Sequence, residues 1–341
     1  MINIVSHNVH LVGSIPMESA DEVFDLVGLT LGDCCRRIPD GETGDRKNWI
    51  GWQYGVFKRQ NALIQTEGKE REYQLHSPFT FKKNYNPKNL DFSNLGFAQE
   101  AQDSFLKFKT KQESGVISEQ AKFMVALPTP FAPVYSFISY SDQEAILPYY
   151  EEAILGEIDD ISNLIPHEEL VFQWDVATEM SIFENVYDAT FANPWEILTD
   201  RLATLGNHIP SVIELGYHLC YGSMNNKHWK EPESLEMCTK VSNALSEKIS
   251  RAIQFIHMPV PIDRSDDSYF APLKELRLSN KTEIILGLVH DSQNIQLNID
   301  RIEAAQVYLS EFGIATECGL GRRAVSEMPG LMKLQAELAV R

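Results

Sequence analysis

Three residues with soft ligand atoms stand out in this 341-residue chain: His218 and Cys220 inside SVIELGYHLCYGS, and Cys318 far downstream inside FGIATECGLGRR. His and Cys two apart in an extended segment project to the same side, because side chains alternate along a strand. A distant Cys then completes a site if the fold brings it there. Two thiolates and an imidazole suit zinc, and three protein ligands with one position open is the catalytic arrangement rather than the closed structural one. A lone buried Cys or His is more often packing than ligand, so the reading depends on the three meeting at one place.

The elements that must position them are visible as eight short apolar runs, at 9–15, 31–38, 123–130, 170–176, 211–219, 253–260, 283–290 and 312–318. Helix patterns lie between them. Ser141-Asp142-Gln143-Glu144 is a capping box opening a run that ends near Leu164, and Asn193-Pro194-Trp195-Glu196 puts Pro at a first helical position. Residues 235–253 and 294–312 carry apolar side chains at three and four spacing. Strands alternating with helices predict parallel pairing, and eight such units predict an α/β fold of the closed TIM barrel, (β/α)8, type. His218 and Cys220 then fall at the end of the fifth strand and Cys318 at the end of the eighth, the barrel end where catalytic groups collect. The alternation fails once: residues 43–121 read as a long helical insertion between the second and third strands, either a lid or a peripheral decoration. No linker, low-complexity tract or repeat divides the chain, so a single domain over 1–341 is expected.

Composition narrows the partners. The chain is 43% hydrophobic and 23% charged, with 30 Lys and Arg against 48 Asp and Glu, a net charge of −18. Such a balance repels nucleic-acid backbones and anionic membranes, and no local basic patch offsets it. No apolar run is long enough to span a bilayer, and MINIVSHNVH lacks the regions of a signal peptide, so a cytoplasmic protein is expected. Cys34, Cys35, Cys220, Cys238 and Cys318 are odd in number and irregularly spaced, which argues against a disulfide framework. Cys34 and Cys35 read as buried small apolar residues. Homo-oligomerisation is left open.

HLCYG and ECGLGRR together resemble the H-x-C-Y and D-C-G-L-x-x-R segments of the cobalamin-independent methionine synthase family, whose catalytic half is a zinc-bearing barrel. The resemblance runs over most of the chain. Val12-Gly13-Ser14-Ile15-Pro16 is similar to that family's I-G-S-F-P, Asp40-Gly41-Glu42 to its H-G-E, and Phe172-Gln173-Trp174-Asp175 to its I-Q-I-D. It implies a zinc ion that activates a homocysteine thiol for methylation. Groups around Ser14 would hold the amino acid's carboxylate, and Glu42 and Asp175 its ammonium, two acids relieved of mutual repulsion by the cation between them.

The chain also departs from the family. Where the family has a zinc-binding Glu at the sixth strand, this sequence reads Phe255-Ile256-His257-Met258-Pro259-Val260-Pro261. His257 is either the fourth ligand or a hydrogen-bonding neighbour or substrate contact. The Trp of the family's folate platform is replaced by Pro128-Thr129-Pro130-Phe131-Ala132-Pro133-Val134-Tyr135, leaving Phe131 and Tyr135 as flat rings and the alkyl donor unidentified. The size is that of single-barrel relatives rather than of the longer synthases. His290, in LGLVHD, lies within two residues of the family's histidine acting on the leaving group and is the candidate catalytic proton donor.

Two motifs are set aside. Asp40-Gly41-Glu42-Thr43-Gly44-Asp45-Arg46 lacks the ligand alternation of a calcium loop and reads as a tight turn aiming Glu42 inward. Gly319-Leu320-Gly321-Arg322-Arg323-Ala324 is followed by too little chain for a dinucleotide unit; Arg322 and Arg323 either bind an anionic group or pair with acids. The expected function is a zinc-dependent methyl or alkyl transferase acting on a small thiol such as homocysteine. The alternative is a zinc-dependent hydrolase or lyase on the same barrel, and a third reading is a binding module with a structural metal.

Overall fold

Seven parallel strands form one curled sheet. After β1 (Arg37–Pro39) comes a separate antiparallel hairpin of β2 (Leu63–Gln65) and β3 (Phe79–Phe81). The main sheet continues with β4 (Lys122–Pro128), β5 (Leu170–Val176), β6 (Glu214–Leu219), β7 (Phe255–Pro259), β8 (Glu283–Gly287) and β9 (Gly313–Ile314), in the order β1-β4-β5-β6-β7-β8-β9. Strand order follows chain order, so each connection steps to the adjacent strand, as right-handed crossovers through helices do. This computed structural model describes residues 7–71, 74–224, 227–290 and 294–340.

The curl brings distant strands together. Arg37, opening β1 at one edge, donates to Glu283, opening β8 near the other, at 2.8 Å. Val12, Met124, Val171, Phe255, Ile285 and Ala315 form an apolar cluster of their own, separate from the larger core between sheet and helices. The segment expected as the first strand lies between the two edges: Val9 bridges Ile314 in parallel, and its N–H donates to the Cys34 carbonyl at 2.8 Å.

The outer core follows from the sequence pattern. All seven residues of β5 are buried, the near-continuous apolar run that a strand covered on both faces requires. Phe123 on β4 meets Phe24, Phe105 and Phe108 from helices Ala20–Thr30 and Phe97–Glu113, with centroids 5.6–6.4 Å apart. Each such ring contributes about 1.5–3 kcal/mol by leaving water.

Several expectations change in detail. The run 31–38 is not one strand: the first helix passes into a short 3-10 turn at Gly32–Cys34, whose backbone donors are used locally, and pairing begins only at Arg37. The stretch 43–121 holds a β-hairpin as well as helices, and its last helix, Phe97–Glu113, packs beside the sheet like the other connecting helices. The capping box does not form. Asp142 commits its carboxylate to the Thr80 hydroxyl and the Phe81 N–H of the hairpin, and helix Gln143–Leu164 starts without a side-chain cap. Helices Pro194–His208, Glu236–Lys248 and Ile295–Gln306 lie where expected, the last capped by the Asn294 side chain on the Gln296 N–H. Among the described residues no helix is long and apolar enough to cross a membrane.

Candidate metal centre and active site

His218 and Cys220 do share one side of the chain at the end of β6, and the turn after β9 delivers Cys318 to them. One ligand atom from each of the three lies within 4.8 Å of the others. The two sulfurs are 3.5 Å apart, and the Gly222 N–H donates to the Cys220 Sγ at 3.3 Å. The hydrogen bond from Cys220 holds the Cys318 thiol well below its ordinary value, and the same contact together with burial pushes Cys220 well above. The third donor is bare, since His218 Nε2 is buried with no hydrogen-bond partner.

This donor set fits zinc. Zinc–sulfur bonds of about 2.3 Å in a tetrahedron place two sulfurs about 3.8 Å apart, close to the separation present. A divalent cation would also satisfy the buried His218 Nε2, which has no hydrogen-bond partner, and would hold both sulfurs as thiolates.

Glu42, Asp175 and Ser14, the residues expected to hold an amino acid, lie at the same end of the sheet as the thiols. Gly41, at φ +81°, turns the chain after β1, and Glu42 follows at φ +47° with its N–H on the Asp40 carboxylate at 2.9 Å. Arg46 fixes Asp40 from the other side at 2.8 Å. The turn sends the Glu42 carboxylate directly over Gly13, where any Cβ would collide with it. Asp175, on β5, accepts from the Gln173 amide at 2.9 Å. Burial, with Asp40 and Cys318 adding repulsion against Arg46, raises Glu42 to about 8. Burial and the Glu42 charge push Asp175 well above the usual carboxylate range. Ser14 is engaged by the turn after Cys318: its Oγ accepts from the Gly321 N–H at 3.2 Å and its carbonyl from the Leu320 N–H at 2.6 Å.

His257 lies behind His218, outside the His218–Cys220–Cys318 cluster. Its Nδ1 is 2.7 Å from His218 Nδ1 and its Nε2 is 3.0 Å from the Thr316 carbonyl, so both nitrogens are occupied. His290 donates through Nε2 to the Val260 carbonyl at 2.8 Å, and its Nδ1 is 3.6 Å from Glu317 Oε2. Burial lowers His290 to about 3. Arg322 donates to Ser223 at 2.7 Å, and Arg323 lies 3.6 Å from Glu327. Phe131 and Tyr135 are both buried; Tyr135 stacks on Tyr187 at 5.8 Å and donates to the Asp188 carbonyl.

Some residues of the site escape sequence reasoning. Glu317 adjoins Cys318 and contacts both His290 and His228, the latter at 3.4 Å. Burial, with the charges of Glu231 and Cys318, raises Glu317 to about 9. Glu179, beyond β5, is 2% exposed with Oε2 unpartnered, and burial raises it to about 7. His10 and Gln173 form an interior polar pair at 2.8 Å that continues to Asp175. The only advance signal was polar residues inside otherwise apolar runs, such as the Gln of LVFQWDV.

The sequence matches no family model and no curated protein. The structure resembles solved ones along its whole length. A Listeria monocytogenes protein provisionally assigned as a vitamin-B12-independent methionine synthase aligns with TM-score 0.57 and 15% identity, over 98% of this chain and 99% of that one. A B12-independent methionine synthase from a Shewanella species, solved in complex with selenomethionine, aligns with TM-score 0.60 and 15% identity, over 98% and 96%. A methyltransferase from Methanosarcina mazei aligns with TM-score 0.54 and 9% identity, over 99% and 95%. At these identities the likeness is one of fold.

Proposed function

We propose that the chain is a zinc-dependent methyl or alkyl transferase whose acceptor is a small amino-acid thiol such as homocysteine. The observation that carries this reading is the bare, buried His218 Nε2 beside the Cys220–Cys318 pair. The fold likeness to methionine synthase-like and methyltransferase structures supports it, and selenomethionine in the Shewanella complex is a ligand of the fitting size and class. We take the fold as a single closed (β/α)8 barrel, with residues 9–15 as its first strand.

His218, Cys220 and Cys318 would hold the metal, which when bound supplies a Lewis acid able to keep a substrate thiol ionised at neutral pH. Free thiols ionise near about pH 8.5, so a neutral-pH enzyme needs such a device. Glu42 and Asp175 repel each other at a cost that a bound ammonium would relieve, and an amino acid held there would direct its sulfur toward the thiol pair. Gln173 fixes the Asp175 carboxylate in place. His290, neutral and held through its Nε2–H by Val260, offers only the Nδ1 lone pair, so a proton given to the leaving group as the alkyl group departs would come from Glu317, which burial holds protonated beside it.

The test is calorimetric titration of homocysteine into zinc-loaded and metal-free protein. Binding should require zinc and weaken at least about 10-fold in the Asp175→Asn variant, since the clamp supplies a charge-assisted bond. Equal binding with and without metal would overturn the thiol-activation reading.

A further inference from the structure

We infer that His257 is a positioning residue for His218: it fixes the tautomer and rotation of that imidazole from behind, contributes no ligand atom, and leaves the cluster with three protein ligands. The inference rests on the reading of His218, Cys220 and Cys318 as a metal centre.

Protons along a buried chain of donors and acceptors can be assigned one by one. His218 on β6 and His257 on β7 are register partners, so their side chains emerge at the same height. The rings lie 4.7 Å apart at 55°, with the two Nδ1 atoms 2.7 Å apart. Two imidazole nitrogens at that distance need one proton between them, and the other end of His257 decides whose it is. The Thr316 carbonyl, 3.0 Å from His257 Nε2, can only accept, so Nε2 carries the hydrogen. A fully buried imidazole with no water beside it carries a single proton, and Nε2 holds it on the Thr316 carbonyl, so Nδ1 is a lone pair. His218 must then donate from Nδ1, which leaves its Nε2 as the lone pair, and Nε2 is the atom with no partner.

The backbone is shaped around this arrangement. At Gly287 on β8 an added Cβ would come within 2.9 Å of His257 Nε2, so the absence of a side chain there lets the ring reach Thr316. His257 itself is fully buried and His218 is 2% exposed, so water does not compete for these bonds. A histidine whose nitrogens are both committed has none left for a metal, whereas a fixed Nδ1–H on a ligand histidine is the usual outer partner of a metal site.

The test uses two variants and a readout that needs no metal. His257→Gln can accept from His218 through its amide oxygen and donate to Thr316 through its NH2; His257→Leu fills the space and does neither. In metal-free protein with 15N-labelled histidine, NMR should show His218 protonated at Nδ1 in the wild type and in His257→Gln, and the preference lost in His257→Leu. Zinc affinity, measured by chelator competition, should fall about 10–100-fold in His257→Leu and stay within about 3-fold in His257→Gln. X-ray absorption should give one imidazole and two sulfurs for both wild type and His257→Gln. Two imidazoles in the wild type with one lost in His257→Gln, or His218 protonated at Nε2, would overturn the inference. Should His257→Leu fail to fold, the wild-type tautomer and His257→Gln carry the test. Failure to take up zinc would contradict the metal-centre reading alone, because the metal-free tautomer still decides the role of His257.

Discussion

At the amino-terminal ends of the strands, Arg37 donates to Glu214 and Glu283 at 2.8 Å each, Lys122 reaches the second oxygen of Glu214 at 2.9 Å, and Asn8 donates to the second oxygen of Glu283 at 2.8 Å. At the carboxyl-terminal ends, Glu42, Asp175 and Glu317 crowd around a thiol pair and an unpartnered imidazole nitrogen. Burial opposes ionisation at both ends, but the outcomes differ. Arg37 and Lys122 outweigh it at Glu214, whose carboxyl is held below its ordinary value, whereas Glu42 rises to about 8 and Glu317 to about 9. One end thus closes its own charge network. The other stores unsatisfied donors and repulsion that only a cation and a cationic ligand would relieve, the arrangement that marks functional sites.

The sharpest way to break this contrast is to remove a ligand. Cys318→Ser should lower zinc affinity by more than the about 10–100-fold that outer partners cost, while leaving the thermal unfolding of metal-free protein nearly unchanged. Retention of zinc by this variant, measured by metal analysis after dialysis, would show that the thiol pair is not the centre.

At the opposite end, Arg37→Met should destabilise the chain by about 2–3 kcal/mol in urea titrations, because it removes the shared guanidinium and leaves Glu214 with Lys122 alone and Glu283 with only the neutral Asn8 amide. Both partners keep roughly a fifth of their side-chain surface in water, which sets the effect below that of a fully buried pair. Zinc stoichiometry should not change. A loss of metal in this variant would mean that the two ends are coupled.

An effect that vanishes at low pH separates the ends as well. Glu179 lies past the end of β5, and burial moves its carboxyl from 4.5 to about 7 in the folded chain. Its folded value is the higher one, so its favourable contribution is complete below pH 4.5 and is lost as pH rises through about 7. Glu179→Gln removes that penalty. The metal-free variant should nearly match wild type at pH 4.5 and exceed it by about 3 kcal/mol at pH 8, because each tenfold change in an acid's ionisation constant on folding is worth about 1.36 kcal/mol. A constant difference across this range would contradict a buried, protonated Glu179.

The part of this site that was legible in the sequence depends on local rules. His218 and Cys220 share a side because strand alternation is local, and the Gly41-Glu42 turn was readable because a glycine at positive φ bends the chain wherever it stands. Arrangements set by tertiary contact were not. The capping box from Ser141 to Glu144 failed because the Ser141 hydroxyl donates instead to the neighbouring Asp142 carboxylate at 3.3 Å, and that carboxylate is held by the hairpin, distant in sequence. The strand expected at 31–38 shrank to its last residues because a preceding helix ran into it. His257 was recognisable as part of the centre, but its place depends on register with His218 and on a carbonyl at Thr316, neither of which one sequence displays. The Arg37 network joins residues from four separate strand starts and left no local trace.

The central claim is that the carboxyl-terminal end holds a three-ligand zinc with a position open to a thiol. X-ray absorption at the zinc edge, on protein with and without homocysteine, tests it most directly. The expected result is two sulfur neighbours and one imidazole in the free protein, and a third sulfur when homocysteine is added. A shell that already contains four protein ligands, or one that stays at two sulfurs with saturating homocysteine, would contradict it.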